Sequence, residues 1–255
     1  MIQAKGARML QELDDKVIWV TGATSGIGEA AAILLSQGGA TVIASGRRAD
    51  RLDALADQLI EPFHLAPLDV ADEEAVNECA QQIIETYGRI DVLVHSAGLN
   101  ITERSWDQIS PSGWNEVIQV DLNGAFYCNH AVLGTMREQG DGLIINISSW
   151  AGRFVSRVSG GAYSAAKHGL NAMTESINQE NCQHGIRATA LCPGEVATEI
   201  LDRRPIPVSA EDRARMVQSE DVAELIGFIV RTPAHVCLNE ITISPTWNRG
   251  YIRGN

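Results

Sequence analysis

Short apolar runs and longer amphipathic stretches alternate along this chain. Runs near 16–21, 41–45, 62–68, 91–95, 142–148, 187–192 and 239–243 read as strands, the first of them fit to be buried. Between them, apolar residues recur at helical spacing near 26–38, 49–59, 73–87, 112–139, 163–183 and 220–230. This alternation predicts an α/β protein, with about seven parallel strands in a doubly wound sheet and helices on both faces. No internal repeat, low-complexity run or Pro/Gly-rich linker interrupts it, so residues 1–255 read as one domain with an N-terminal extension over 1–14. The least regular stretch lies within 195–218, follows the sixth strand and includes Arg203-Arg204-Pro205-Ile206-Pro207. Ligand sites of open α/β sheets lie beyond the carboxyl ends of the strands, so this stretch is expected to be a mobile substrate lid.

Two segments carry chemistry. Lys16-Val17-Ile18-Trp19-Val20 leads directly into Thr21-Gly22-Ala23-Thr24-Ser25-Gly26-Ile27-Gly28 and then into an Ala-rich helical stretch. In such a strand–turn–helix unit the glycines let the backbone approach a pyrophosphate, and the helix N-terminus offers it free N–H groups. A dinucleotide is the expected guest, which makes the sheet Rossmann-type; the plain alternative is an ordinary glycine-rich turn. In the second segment, Tyr163-Ser164-Ala165-Ala166-Lys167, a phenol and an ammonium stand at i and i+4 on one helix face. A free phenol titrates near pH ~10, and a buried cation beside it brings it toward proton transfer at neutral pH. Taken alone, the same spacing is common on solvated helices.

Composition narrows the class. With 45% hydrophobic and 20% charged residues, the chain is globular rather than disordered. A formal net charge of −12 argues against a nucleic-acid partner and leaves an anionic cofactor to be attracted by local groups. Cys79, Cys128, Cys182, Cys192 and Cys237 show no metal-ligand spacing, so no metal is expected. They read as reduced thiols in a cytoplasmic protein. The first residues lack the apolar core of a signal peptide and no run reaches the ~18 apolar residues of a membrane span, so no membrane partner is expected.

The loop TGxxxGxG, then Ile147-Ser148-Ser149, Tyr163-xxx-Lys167 and Pro193-Gly194-Glu195-Val196-Ala197-Thr198, resemble in that order the short-chain dehydrogenase/reductase family, from about residue 14 to residue 245. The resemblance implies an NADP(H)-dependent oxidoreductase that interconverts a secondary alcohol and a carbonyl compound. It implies a catalytic set of Ser149, Tyr163 and Lys167, with Ser148 as the register-shifted alternative. The serine would bond the substrate oxygen and the tyrosine would transfer the proton. The lysine would lower the tyrosine pKa and hold the nicotinamide ribose.

Cofactor contacts carried over from the family fall first on Gly22, Thr24, Ser25, Gly26, Ile27 and Gly28. Asp69 and Val70 follow the third strand, and Ser96, Ala97 and Gly98 the fourth. Tyr163, Lys167, Pro193, Gly194, Val196 and Thr198 complete the set. Asp69 has a second reading, as the N-cap of the helix beginning near Ala71. Members preferring NAD(H) carry an acidic residue where this chain has Gly46, and Arg47 and Arg48 follow it. NADP(H) is thus implied as the preferred cofactor, with NAD(H) admitted; the alternative is that both arginines are solvated. The helices at 112–139 and 163–183, with Val132, Met136, Leu170 and Met173, imply a homodimer or homotetramer.

Several positions depart from the family pattern. His95-Ser96-Ala97-Gly98 stands where Asn-Asn-Ala-Gly is usual; His95 reads as a structural strand-end residue, and Ser96 only partly replaces the second Asn. Asp121, in Val120-Asp121-Leu122-Asn123-Gly124, replaces the Asn that anchors a relay water. Asn123 cannot take its place, because helical residues two apart point about 200° apart. Asp121 accepts from that water, pairs with Lys167, or is inert. These departures keep open a second class, a catalytically silent dinucleotide-binding or scaffold protein. Trp150, Phe154, Glu195 and Leu201 are candidate pocket residues and Arg153 or Arg157 candidate partners of a substrate anion, though each is equally a plain loop residue.

Overall fold

The structure, a computed structural model, describes residues 13–252, so the extension expected over 1–14 lies almost wholly outside the described residues. Seven strands, β1 (Val17–Thr21), β2 (Thr41–Gly46), β3 (Phe63–Pro67), β4 (Val92–His95), β5 (Gly142–Ile147), β6 (Ile186–Pro193) and β7 (Glu240–Ile243), form one sheet in the order β3-β2-β1-β4-β5-β6-β7. Every pairing is parallel. The helices are α1 (Gly26–Gln37), α2 (Ala49–Ala56), α3 (Glu73–Tyr87), α4 (Pro111–Ile118), α5 (Gly124–Gln139), α6 (Gly161–Asn181), α7 (Ala210–Ala214), α8 (Ser219–Val230) and α9 (Arg249–Ile252). This is the doubly wound Rossmann-type fold expected from the alternating pattern.

Side chains of a strand alternate between faces, and here both faces are covered. Ile18, Val20, Val42, Val94 and Ile145 pack toward α1, α2 and α8, while Trp19, Ile43, Leu93 and Ile144 pack toward α3, α5 and α6. Each such burial is worth about 1.5–3 kcal/mol. Trp19 keeps its indole N–H satisfied by donating to Ser45 Oγ at 2.8 Å.

The long helix expected over 112–139 is divided. α4 ends at Ile118, a π-helical turn spans Gln119–Asn123, and α5 resumes at Gly124. Gly124 backs onto Val70, where a Cβ would stand 2.9 Å from the Val70 carbonyl oxygen. The wider turn buries Asp121, whereas Asn123 bonds Gln119 at 2.7 Å.

Two other expectations change. Asp72, not Asp69, caps α3 by accepting from Ala75 N at 3.1 Å; Asp69 instead accepts from Ala71 N in the preceding turn. Val132, Met136 and Leu170 are fully buried in the chain's own core, so they cannot form an intersubunit face. Phe126 is the large apolar side chain that α5 exposes. The stretch 195–218 is tied at its base, Ala197 N donating to Val217 O at 2.9 Å and Val217 N to Glu195 O at 3.2 Å. Among the described residues no helix is long and apolar enough to cross a membrane.

Candidate active site

Strand order reverses between β1 and β4, and the loops that leave these two strands meet at the switch point. Gly22 has φ +69°, and a Cβ there would stand 2.6 Å from Ala97 N. Beyond this contact opens a cavity of about 390 Å³. Gly22, Thr24, Ser25, Gly26, Ile27, Arg47, Arg48, Asp69, Val70, Ser96, Ala97, Gly98, Pro193, Gly194, Val196 and Thr198 all line it, as do Ser149, Tyr163 and Lys167. Gly28 does not. It lies behind the loop against the Gly22 carbonyl, where any side chain would collide, so its part is close helix–strand packing.

The residues present fit an anionic dinucleotide. Ser25, extended at the N-terminus of α1, makes no side-chain cap, so the first-turn N–H groups beside Gly26 and Ile27 face the cavity uncapped. Arg48 braces this loop, donating to Thr24 O at 3.0 Å and Ser25 Oγ at 2.7 Å. It also reaches Glu199 at 2.8 Å, across the cavity mouth. Arg47 is half-exposed and 3.8 Å from Asp69. Gly46 supplies no carboxylate, and a Cβ on it would meet Thr24 Cγ2 at 2.6 Å.

At the other end lies a buried charged cluster. Lys167 Nζ stands 5.5 Å from the Tyr163 ring centre, donates to Ile147 O at 3.2 Å and lies 3.5 Å from Asp121 Oδ2. Asp121 Oδ1 accepts from Leu99 N at 2.7 Å. Burial pushes the Tyr163 phenol above its ordinary pKa; Lys167 pulls it back, Asp121 adds to the rise, and a hydrogen bond with Ser149 lowers it. Burial works against the Lys167 ammonium, but Asp121 and Tyr163 outweigh it and hold the group above its usual value. The Asp121 carboxyl is raised by burial despite Lys167.

Register separates the two serines. Ser148 Oγ is buried and donates to Lys167 O at 3.3 Å, whereas Ser149 accepts from Ala151 N at 3.1 Å and is the one that reaches Tyr163. His95 is buried, with Nδ1 3.0 Å from Thr21 Oγ1, as a strand-end residue should be.

Of the pocket candidates, Glu195 and Leu201 line the cavity; Trp150, Phe154, Arg153 and Arg157 do not. Trp150 packs on Phe154 with ring centres 5.2 Å apart, and Arg153 pairs with Glu240. In their place the cavity receives Asn100, Arg104, Val158, Ser159, Arg203 and Arg204. Arg104 sits in a polar stretch without periodicity, where nothing in sequence distinguishes it from a solvated arginine. Among the described residues no group of three His, Cys, Asp or Glu side chains could hold a metal ion.

A doubly wound sheet whose switch-point cavity ends on a half-buried Tyr163 beside buried Lys167 is the architecture of a dinucleotide-dependent oxidoreductase. The short chain dehydrogenase family model matches residues 16–206, and the chain belongs to that family of dehydrogenases and reductases. It is 36% identical over 234 residues to an uncharacterized oxidoreductase of Staphylococcus aureus, covering 91% of this chain and 98% of the relative. The closed form of a serine dehydrogenase complexed with NADP+ superposes with TM-score 0.85 at 32% identity, covering 91% of this chain and 96% of that one. An alcohol dehydrogenase from the archaeon Thermococcus sibiricus, complexed with 5-hydroxy-NADP, gives TM-score 0.82 at 28% identity, covering 92% and 98%.

Proposed function

We propose that this oxidoreductase prefers NADP(H) and interconverts a secondary alcohol and a carbonyl compound, with Ser149, Tyr163 and Lys167 as its catalytic residues. The observation that carries this reading is their convergence on one cluster that lines the cavity fitting a dinucleotide. Gly22, Thr24, Ser25, Gly26 and Ile27 would hold the pyrophosphate, and Arg47 and Arg48 the adenosine 2′-phosphate. Asp69 and Val70 would meet the adenine. Ser96, Ala97, Gly98, Pro193, Gly194, Val196 and Thr198 would hold the nicotinamide half. When bound, the dinucleotide supplies the hydride donor or acceptor.

The chain's own residues manage the proton. Ser149 Oγ donates to the substrate oxygen and orients it toward the Tyr163 hydroxyl. In reduction the Tyr163 phenol gives its proton to that oxygen; in oxidation the phenolate takes the proton of the alcohol. Lys167 favours the phenolate, and Asp121 keeps Lys167 charged at the cost of raising the tyrosine. NADP+ in the serine dehydrogenase complex supports the cofactor choice.

The five cysteines are all free, which suits a reducing cytoplasmic compartment. Exposed Phe126 on α5 supports assembly into a homodimer or homotetramer.

The direct test is oxidation of NADPH and of NADH against a panel of aldehydes and ketones. Turnover of at least one carbonyl compound, faster with NADPH, is expected. Failure of every member to consume either cofactor would leave a non-catalytic dinucleotide binder.

A further inference from the structure

Arg104 threads between the loops that build the substrate end of the cavity. Its Nη1 donates to Val158 O at 3.0 Å and its Nη2 to the Arg203 carbonyl, while Nε is buried with no partner. The residue is only 6% exposed, yet no carboxylate among the described residues lies within ion-pair distance of it. The neighbouring cations are neutralised: Arg204 and Arg249 share Glu195, Arg249 also meets Asp212, Arg48 meets Glu199, and Lys167 meets Asp121. Arg203, beside it, donates only to Asn100 O, at 3.4 Å. Arg187 is nearly as buried, but it sits at the far end of β6, bonds three carbonyls, feels Asp141 and does not line this cavity.

A desolvated guanidinium without a counter-ion is costly, because arginine does not shed its charge. Burial, and then Arg204, pull the Arg104 pKa down to about 10, while Tyr163 acts to raise it. The one carboxylate lining this end, Glu195, is already held below the usual range by Arg249 and Arg204, against its burial. In a chain of net charge −12, this corner therefore holds positive charge with no internal partner.

We propose that Arg104 anchors a carboxylate carried by the substrate, so that the alcohol or carbonyl compound is a hydroxy or oxo acid. The planar fork of arginine matches a carboxylate, and Arg104 lines the cavity together with Tyr163. This rests on the dehydrogenase reading above.

The test is calorimetric titration of the NADPH complex, in which an alcohol cannot react, with lactate and β-hydroxybutyrate, their methyl esters and glycerol phosphate. One of the acids is expected to bind at least tenfold more tightly than its ester. Arg104→Gln should erase that preference while NADPH affinity is unchanged, and Arg104→Lys should retain part of it. If Arg104→Gln fails to fold, the acid-to-ester ratio of the parent and of Arg104→Lys decides. Esters binding as well as acids, a preference surviving in both variants, or glycerol phosphate binding more tightly than either acid would each overturn the proposal. If neutral ketones turn over and the acids gain nothing from Arg104, this inference fails and the dehydrogenase reading stands. If acids bind through Arg104 and no carbonyl compound or acid is turned over, the reverse holds.

Discussion

Asp121 Oδ2 stands 3.5 Å from Lys167 Nζ, and both side chains are shielded from solvent. Of the readings open for Asp121, the structure realises the pairing with Lys167, at ion-pair rather than hydrogen-bond geometry. The π turn over Gln119–Asn123 makes it feasible, since it places a carboxylate between the Leu99 amide and the ammonium. The pair has opposed effects on the phenol: Lys167 favours the phenolate, and Asp121 disfavours it.

Asp121→Asn therefore removes a charge that raises the Tyr163 pKa. The phenolate then forms at lower pH, so the rise of kcat/KM with pH in alcohol oxidation should move to lower pH. An unmoved or alkaline-shifted profile would contradict the coupling. Asp121→Leu should also cost about 3–5 kcal/mol of stability, read from urea unfolding, because it leaves the buried ammonium unpaired.

Tyr163→Phe keeps the ring that packs under Lys167 but removes the transferable proton. Turnover should fall at least ~100-fold, the low end of what a positioned acid–base group contributes, while NADPH affinity measured by fluorescence survives. Activity within about tenfold of the parent takes Tyr163 out of the mechanism.

Cofactor choice tests the end of β2. Arg47 is free enough to turn to a 2′-phosphate, and a charge-assisted hydrogen bond is worth roughly 1.5–3 kcal/mol. At ~1.4 kcal/mol per factor of ten, NADPH should exceed NADH in catalytic efficiency by at least tenfold. Arg47→Ala should lose most of that preference with NADH use nearly unchanged. Arg48→Ala should weaken both cofactors, because Arg48 braces Thr24 and Ser25. Gly46→Asp is a poor probe of charge alone, since its Cβ would press on Thr24. A parent enzyme that favours NADH makes Arg47 a bystander in cofactor choice.

His95 should make the fold acid-sensitive. Burial first, and then the Lys167 charge, lower its pKa to about 3. Unfolded, it titrates near ~6.5, so below that pH the unfolded chain binds the extra proton. Its contribution is fully present above pH ~6.5 and is lost as pH falls toward 3, by about 1.4 kcal/mol at pH ~5.5. Denaturant melts of the parent and of His95→Asn at pH ~7.5 and ~5.5 should show the parent losing more on acidification. Equal losses would mean that the folded His95 titrates normally.

The sequence by itself determined the sheet, its parallel strands and the site framework, because those depend on local information. Short apolar runs that alternate with helical patterns read as parallel strands, although the edge strands β3 and β7 are only partly buried. Gly22 and Gly26 announce their loop because a positive φ and close approach exclude other residues. Tyr163 and Lys167 share a face whatever the rest of the chain does. Partners brought from distant segments were decided by tertiary structure alone. Trp150 and Phe154 follow the site serine directly, yet they stack on each other outside the cavity, while Arg104 enters it because Val158 and Arg203 close around it. Val132 and Met136 have the same spacing whether they face a second subunit or their own sheet. Only the packing of α5 buries them inward and leaves Phe126 outside. Helical periodicity marks which face is apolar; what covers that face is set by contacts between elements far apart in sequence.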